Sequence, residues 1–153
     1  TPAAPVAGKD FAAMIQALGL KHFKPYEFLV KGDDNGNPDS PAFGLNTDPP
    51  RAKWGNIAET ARLIDALRSE LDLPIVLTSV YRSPAYNRAV GGVRGSQHVE
   101  FRAVDFIVRG SPVGPVEWAH LLKDWRSAGR FRGGIGVYKG FVHVDTRGVN
   151  VDF

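Results

Sequence analysis

The sequence predicts an α+β domain, with a mostly antiparallel sheet flanked by helices. Three observations predict it. Residues 9–18 and 54–72 repeat their apolar side chains at helical spacing. Residues 73–81 and 102–110 are short runs of aliphatic and aromatic residues, the composition of buried strands. The chain then closes on two more strand-like runs around a turn at Lys139 and Gly140. Helices come first and strands then mix with helices, which is an α+β order.

Each element has a local reason. "KDFAAMIQAL" has a helical period, and Gly19 stops it. "KHFKPYEFLV" follows, with aromatic residues at Phe23, Tyr26 and Phe28. Residues 32–50, "GDDNGNPDSPAFGLNTDPP", are crowded with turn formers and read as a long loop. Such loops in compact domains are often lids or functional insertions, and this one is expected to border the cleft. "WGNIAETARLIDALRSELD" is the strongest helix: Ile57, Ala61, Ile64 and Leu67 share a face, opposite most of Glu59, Arg62, Arg68 and Glu70.

"LPIVLTSVY" reads as a buried strand. "SPAYNRAV" reads as a short helix with Ser83 as N-cap and Pro84 in first position. "GGVRGS" is a turn and "RAVDFIVRG" a second strand. "SPVGPVEWAHLLKDWRSAG" is a helix from near Pro115 to Gly129, and "GGIGVY" with "FVHVDTR" forms the terminal hairpin. Residues 1–8 read as a flexible lead-in, expected of a mature or trimmed chain, and 9–153 as a single domain. Nothing in the sequence reads as a secretory leader.

The composition excludes several function classes. With 153 residues, 43% hydrophobic and 23% charged, the chain has an ordinary globular composition with room for one core. No apolar run approaches the roughly 18 residues of a membrane span, so no membrane insertion is expected. There are no cysteines, which excludes disulfides, thiolate metal sites and cysteine nucleophiles. Any zinc must therefore be held by nitrogen and oxygen. The net charge of +3 is mild, and no nucleic-acid motif is present. A weakly basic surface suits an anionic polymer such as a bacterial cell wall.

The chemistry-bearing residues lie late in the chain. His98 and Asp105 are seven residues apart, on a turn and the strand after it. Ala103, Asp105 and Ile107 share a strand face, where an unpaired carboxylate is costly and needs a partner. On "FVHVDTR", His143, Asp145 and Arg147 share a face with Phe141. Taken singly, these segments also read as a solvent-facing strand, a turn histidine and a salt-bridged aspartate. Taken together, His98, Asp105 and His143 offer two imidazoles and one carboxylate, a common catalytic zinc set with one position left for water.

Three ordered motifs, "TSVYRSPAYNRAVGG", "SQHVEFRAVD" and "GGIGVYKGFVHVDTRG", resemble the zinc D-Ala-D-Ala carboxypeptidases and endopeptidases. These belong to the larger group that includes the hedgehog signalling domain, whose zinc motif is similar to "HVEFRAVD". The resemblance runs from about Asn56 to Arg147, with weaker support from "HFKPYEF". It implies a hedgehog/DD-peptidase-like fold and zinc ligands at His98, Asp105 and His143. It implies Arg82 as the cation facing a substrate carbonyl or carboxylate, where a guanidinium stabilises developing charge. Ser96 and Gln97 are the further substrate-binding candidates, Ser96 either bonding substrate or shaping the turn. The implied activity is zinc-dependent hydrolysis of a peptidoglycan bond involving a D-amino acid. The implied setting is periplasmic, extracellular, or a phage virion or lysis system. The alternatives are a zinc-bearing, inactive binding module of the same fold and a metal-free interaction domain.

The sequence departs from the family in two respects. Phe101 and Val80 stand where the family often has glycine, and a phenylalanine at 101 is expected to enter the site, line a subsite or turn outward. The stretch "GVYKGF" before His143 also lacks the acidic or histidine residue that several relatives place there. Asp145 is then the candidate for accepting the proton or, alternatively, for orienting His143. Glu100 is a weaker candidate base. His120 and His22 are expected to be structural, Tyr81 and Tyr86 to pack, and Trp54, Trp118 and Trp125 to lie in the core or a groove.

Overall fold

Aliphatic strands and amphipathic helices of this sequence bury one another in a single apolar cluster. A computed structural model describes residues 3–153, and their side chains from residue 8 onward. Four α-helices and five strands form: α1 (Ala3–Gln16), α2 (Ala58–Leu71), β1 (Ile75–Ser79), α3 (Pro84–Ala89), β2 (Ala103–Val108), α4 (Pro115–Ser127), β3 (Gly134–Val137), β4 (Val142–Asp145) and β5 (Val151–Asp152). No helix among the described residues is long and apolar enough to cross a membrane.

α1 begins at Ala3, inside the stretch 1–8 expected to be a flexible lead-in. Its alanines favour helix, and Pro5 falls in the first turn, where a missing N–H costs little. The turn at Gly19 has φ 69°, so the predicted stop holds. α2 buries Ala61, Leu63, Ile64 and Leu67. It also buries Asp65, whose carboxylate accepts from the Lys21 and His22 backbone N–H groups, both at 2.9 Å. Those bonds fix the chain reversal after α1. Ser83 caps α3 as predicted, its Oγ accepting from Tyr86 N at 3.1 Å.

The sheet order is β1-β2-β4-β3-β5. All neighbours are antiparallel except β3 and β5, which are parallel. β5 escaped the sequence reading because two residues carry no alternation pattern. Arg126 of α4 holds it, donating to the carbonyls of Gly133 and Val151 at 3.0 Å and pairing with Asp152.

Period-two alternation divides the sheet. Val104, Phe106, Val108, Ile135, Val142 and Val144 enter the apolar cluster, with Trp118, Leu122 and Trp125 of α4 and the buried face of α2. Asp105, His143 and Asp145 take the other face. Register then aligns the site: Ser79 opposes Asp105, Asp105 opposes His143, and His143 opposes Gly136. Directly opposed residues share a face at close approach, so three strands deliver their polar groups to one row.

Candidate metal centre

The row leaves one group missing, and the turn before β2 supplies it. His98 is 2% exposed and lies beside Asp105, with its Nε2 3.1 Å from Oδ1. His143 approaches the same oxygen through Nδ1, at 3.0 Å. The ligand atoms of His98, Asp105 and His143 all lie within 4.8 Å of one another, and all three residues are buried. Of the two readings of these segments, the joint one holds: the three side chains form a closed polar cluster rather than a solvent-facing strand.

Each imidazole is held from behind. His98 Nδ1 lies 2.6 Å from the Val80 carbonyl, which only accepts, so Nδ1 carries the proton. His143 Nε2 lies 2.7 Å from Asp145 Oδ2 and donates to it. That leaves the lone pairs of His98 Nε2 and His143 Nδ1 converging on the Asp105 carboxylate. Three electron-rich atoms facing one another require a proton or a metal cation among them. Two nitrogens, one oxygen and no sulfur suit zinc, with partners behind the ligands fixing both tautomers.

The electrostatics agree. Burial acts to raise the Asp105 carboxyl, but His98 and His143 outweigh it and hold it well below the usual carboxylate range. Burial acts to lower His143, but its bonds to Asp105 and Asp145 outweigh that and raise it. His143 therefore retains a proton readily where a cation would otherwise stand.

Asp145 is fully occupied. It is 0% exposed. Its Oδ1 accepts from Gly134 N at 2.9 Å, Arg147 Nε at 2.9 Å and Arg147 N at 3.2 Å. Its Oδ2 accepts from His143 and, at 2.7 Å, from Arg147 Nη2. Burial again acts to raise this carboxyl, while His143, Arg147 and the Gly134 N–H hold it well below the usual range. Gly134 is required here: a Cβ would stand 2.6 Å from Asp145 Oδ2. Arg147 was legible as the third member of the "HVDTR" alternation, but its bidentate grip on Asp145 was not.

Arg82 reaches the centre from the segment after β1. Its Nη2 is 3.5 Å from Asp105 Oδ2, and Nη1 donates to Asn87 Oδ1 at 3.2 Å. A cleft of about 190 Å³ opens beside it, lined by Asp33, Asp34, Ser79, Arg82, Asp105 and Phe141 among others. The 32–50 loop does border this cleft, as expected. A larger, mostly apolar groove of about 650 Å³ lies between α1 and residues 23–29 and contains none of the three ligating residues. The polar chemistry belongs to the smaller cleft.

Other residues fall elsewhere. Neither Ser96 nor Gln97 is among the cleft-lining residues. Ser96 Oγ accepts from His98 N at 3.2 Å and so shapes the turn. The Gln97 carbonyl accepts from Glu100 N and Arg102 N. Glu100 faces Lys53 at 3.8 Å. His22 bonds Ser69 Oγ at 2.8 Å, whereas His120 lies exposed on α4 rather than in a structural contact.

Phe101 does none of the three things expected of it. Its side chain turns into the core, 0% exposed, with its ring centroid 6.1 Å from that of Phe11 and 6.2 Å from that of Tyr81. Its φ is 59°, a left-handed backbone that explains why glycine suits this position. Val80 is likewise buried, and contributes its carbonyl to His98.

Two imidazoles and a carboxylate, each backed by a fixed partner and opening beside an arginine-lined cleft, define the centre of a metal-dependent hydrolase. The chain belongs to the peptidase M15 family, whose model matches residues 21–145. This is the zinc D-Ala-D-Ala carboxypeptidase family, so the class is metallopeptidase. The match includes His98, Asp105, His143 and Arg82 and ends on Asp145; α1 precedes it and Arg147 follows it. No curated protein and no solved structure matched the chain.

Proposed function

We propose that the protein is a zinc peptidase that hydrolyses a peptidoglycan peptide bond involving a D-amino acid, acting outside the cytoplasmic membrane or in a phage lysis system. The observation that carries this reading is the convergence of His98 Nε2 and His143 Nδ1 on Asp105, beside a cleft that also presents Arg82. Zinc held by these three residues would supply Lewis acidity and a nucleophile at neutral pH. The protein's own groups do the rest. Arg82 faces the cleft as a fixed cation and stabilises negative charge on the oxygen under attack. Val80 and Asp145 hold the two imidazoles in their ligating tautomers. The buried walls limit water, which strengthens each of these interactions.

Asp145 is assigned the orienting role, because both its oxygens are already engaged. Asp145→Asn should weaken zinc binding by about 10–100-fold, measured against a competing chelator. Unchanged zinc affinity with lost turnover would instead mark Asp145 as the base.

The same occupancy favours the second reading, a binding module that holds zinc without turnover. Incubating the zinc-loaded protein with purified peptidoglycan separates the two. New amino and carboxyl termini, identified by product mass, support the peptidase and distinguish carboxypeptidase from endopeptidase. Retention on the polymer with no released product supports the binding module.

A further inference from the structure

Arg82 lies on a segment with no regular secondary structure, between β1 and α3. A long side chain on such a segment points reproducibly only if its backbone is held. Arg82 N donates to the His98 carbonyl at 3.2 Å. The peptide groups on either side of Arg82 both bond one side chain, Asn46. Its Nδ2 donates to the Tyr81 carbonyl at 3.0 Å, and its Oδ1 accepts from Ser83 N at 2.8 Å. A primary amide carries one acceptor and two donors in a plane. Here it spans residue 82 much as a neighbouring strand would.

Asn46 is 8% exposed and makes three further bonds, one of them from Thr47 N to its Oδ1 at 3.1 Å. Nδ2 also donates to the Lys31 carbonyl at 2.9 Å, and its backbone N donates to Asn35 Oδ1 at 2.7 Å. Ser83 Oγ donates to the Leu45 carbonyl at 2.9 Å, adding a second stitch between the segments. The loop is fastened at its other end too. Gly32 has φ 88°, and a Cβ there would stand 2.4 Å from Tyr86 Oη. The 32–50 loop is thus a docked wall of the cleft, and Asn46 is its joint to the arginine segment.

From this geometry we infer that Asn46 is a positioning residue for Arg82: its amide fixes the backbone on both sides of the arginine and thereby aims the guanidinium at the metal centre. The inference deepens the peptidase reading and rests on it for its kinetic consequence. Misplacing a fixed charge by about 1 Å can cost up to about 100-fold in rate.

A double-mutant cycle tests it. Asn46→Ala should lower kcat/KM on peptidoglycan peptides by about 10–100-fold while zinc stays at about one per chain. In an Arg82→Ala background, Asn46→Ala should cause no further loss. Losses that multiply, or no loss from Asn46→Ala alone, would overturn the inference, because a merely structural defect is independent of Arg82. Should Asn46→Ala not fold, Asn46→Asp carries the same cycle, since it keeps the acceptor for Ser83 N–H and loses both donors. A second readout needs no activity: the Arg82 Nε–H, assigned with Arg82→Lys, should exchange with solvent faster in the Asn46 variant. Unchanged exchange would overturn the inference even if the wild type proved to have no peptidase activity, an outcome that would separately sink the peptidase reading.

Discussion

Replacing His98 with alanine is expected to abolish zinc binding and reduce hydrolysis to background. In the proposed site the residue would provide one of the two nitrogen ligands. Its ring stands on a single support, the Val80 carbonyl, and faces Asp105 at 3.1 Å. Removal leaves one imidazole and one carboxylate, a poor set for zinc, and leaves the Val80 carbonyl without its donor. Metal analysis of wild type and variant reads the outcome directly, and the thermal shift on adding zinc reads it again. A ligand that binds only the folded state stabilises it by mass action, so the shift seen for the wild type should vanish. His120→Ala is the matching control: that side chain is exposed on α4, and both zinc content and activity should be unchanged. One zinc per chain retained in His98→Ala would remove this residue from the site.

Phe101 carries the largest expected effect on stability, and the order of its variants is informative. The ring is fully buried against Phe11 and Tyr81, and truncating such a ring costs about 3–5 kcal/mol. The backbone is left-handed at φ 59°, which costs a residue with a Cβ about 1–2 kcal/mol. Phe101→Ala loses the ring and keeps the strain. Phe101→Gly loses the ring and releases the strain. Glycine should therefore be the milder substitution by about 1 kcal/mol, although it removes more of the side chain. Denaturant unfolding of the two variants measures the difference, and a glycine variant less stable than the alanine variant would show that the conformation carries no such cost. Burial of the Phe101 ring beside Phe11 of α1 and Tyr81 offsets the cost of its left-handed backbone. α1 lies outside the span matched by the family model.

Much of this was legible in the chain. The α2 stripe, the Ser83-Pro84 helix start and the alternation of "AVDFIV" and "FVHVD" are local patterns set by side-chain spacing. Each formed largely as read, because a helix or strand face is determined by period, although the helix read over 54–72 is α-helical only from Ala58 and follows a 3-10 turn over Arg51–Ile57. The candidate ligand trio could be assembled from two separated segments because two imidazoles and a carboxylate form a common zinc set and cysteine was absent. The fate of Phe101 was not legible, since its ring packs beside a residue ninety positions earlier and no side-chain pattern marks its left-handed φ. Of the two roles open to Ser96, the bond from His98 N to its Oγ shows the turn-shaping one, whereas the buried Gln97 Oε1 has no hydrogen-bond partner among the described residues.

The sequence by itself carried the fold class, through periodicity, and the family resemblance, through three ordered motifs, and it singled out His98, Asp105 and His143 as candidate ligands through the donor chemistry of their residue types. Only the tertiary structure decided what stands behind them: Val80 behind His98, Arg147 and Gly134 behind Asp145, and Asn46 on both sides of Arg82. Apart from Arg147, whose guanidinium grips Asp145 two residues away, those partners act through backbone groups or across long sequence separations. Backbone N–H and C=O groups are the same at every residue, so no pattern of side chains announces which of them will be used.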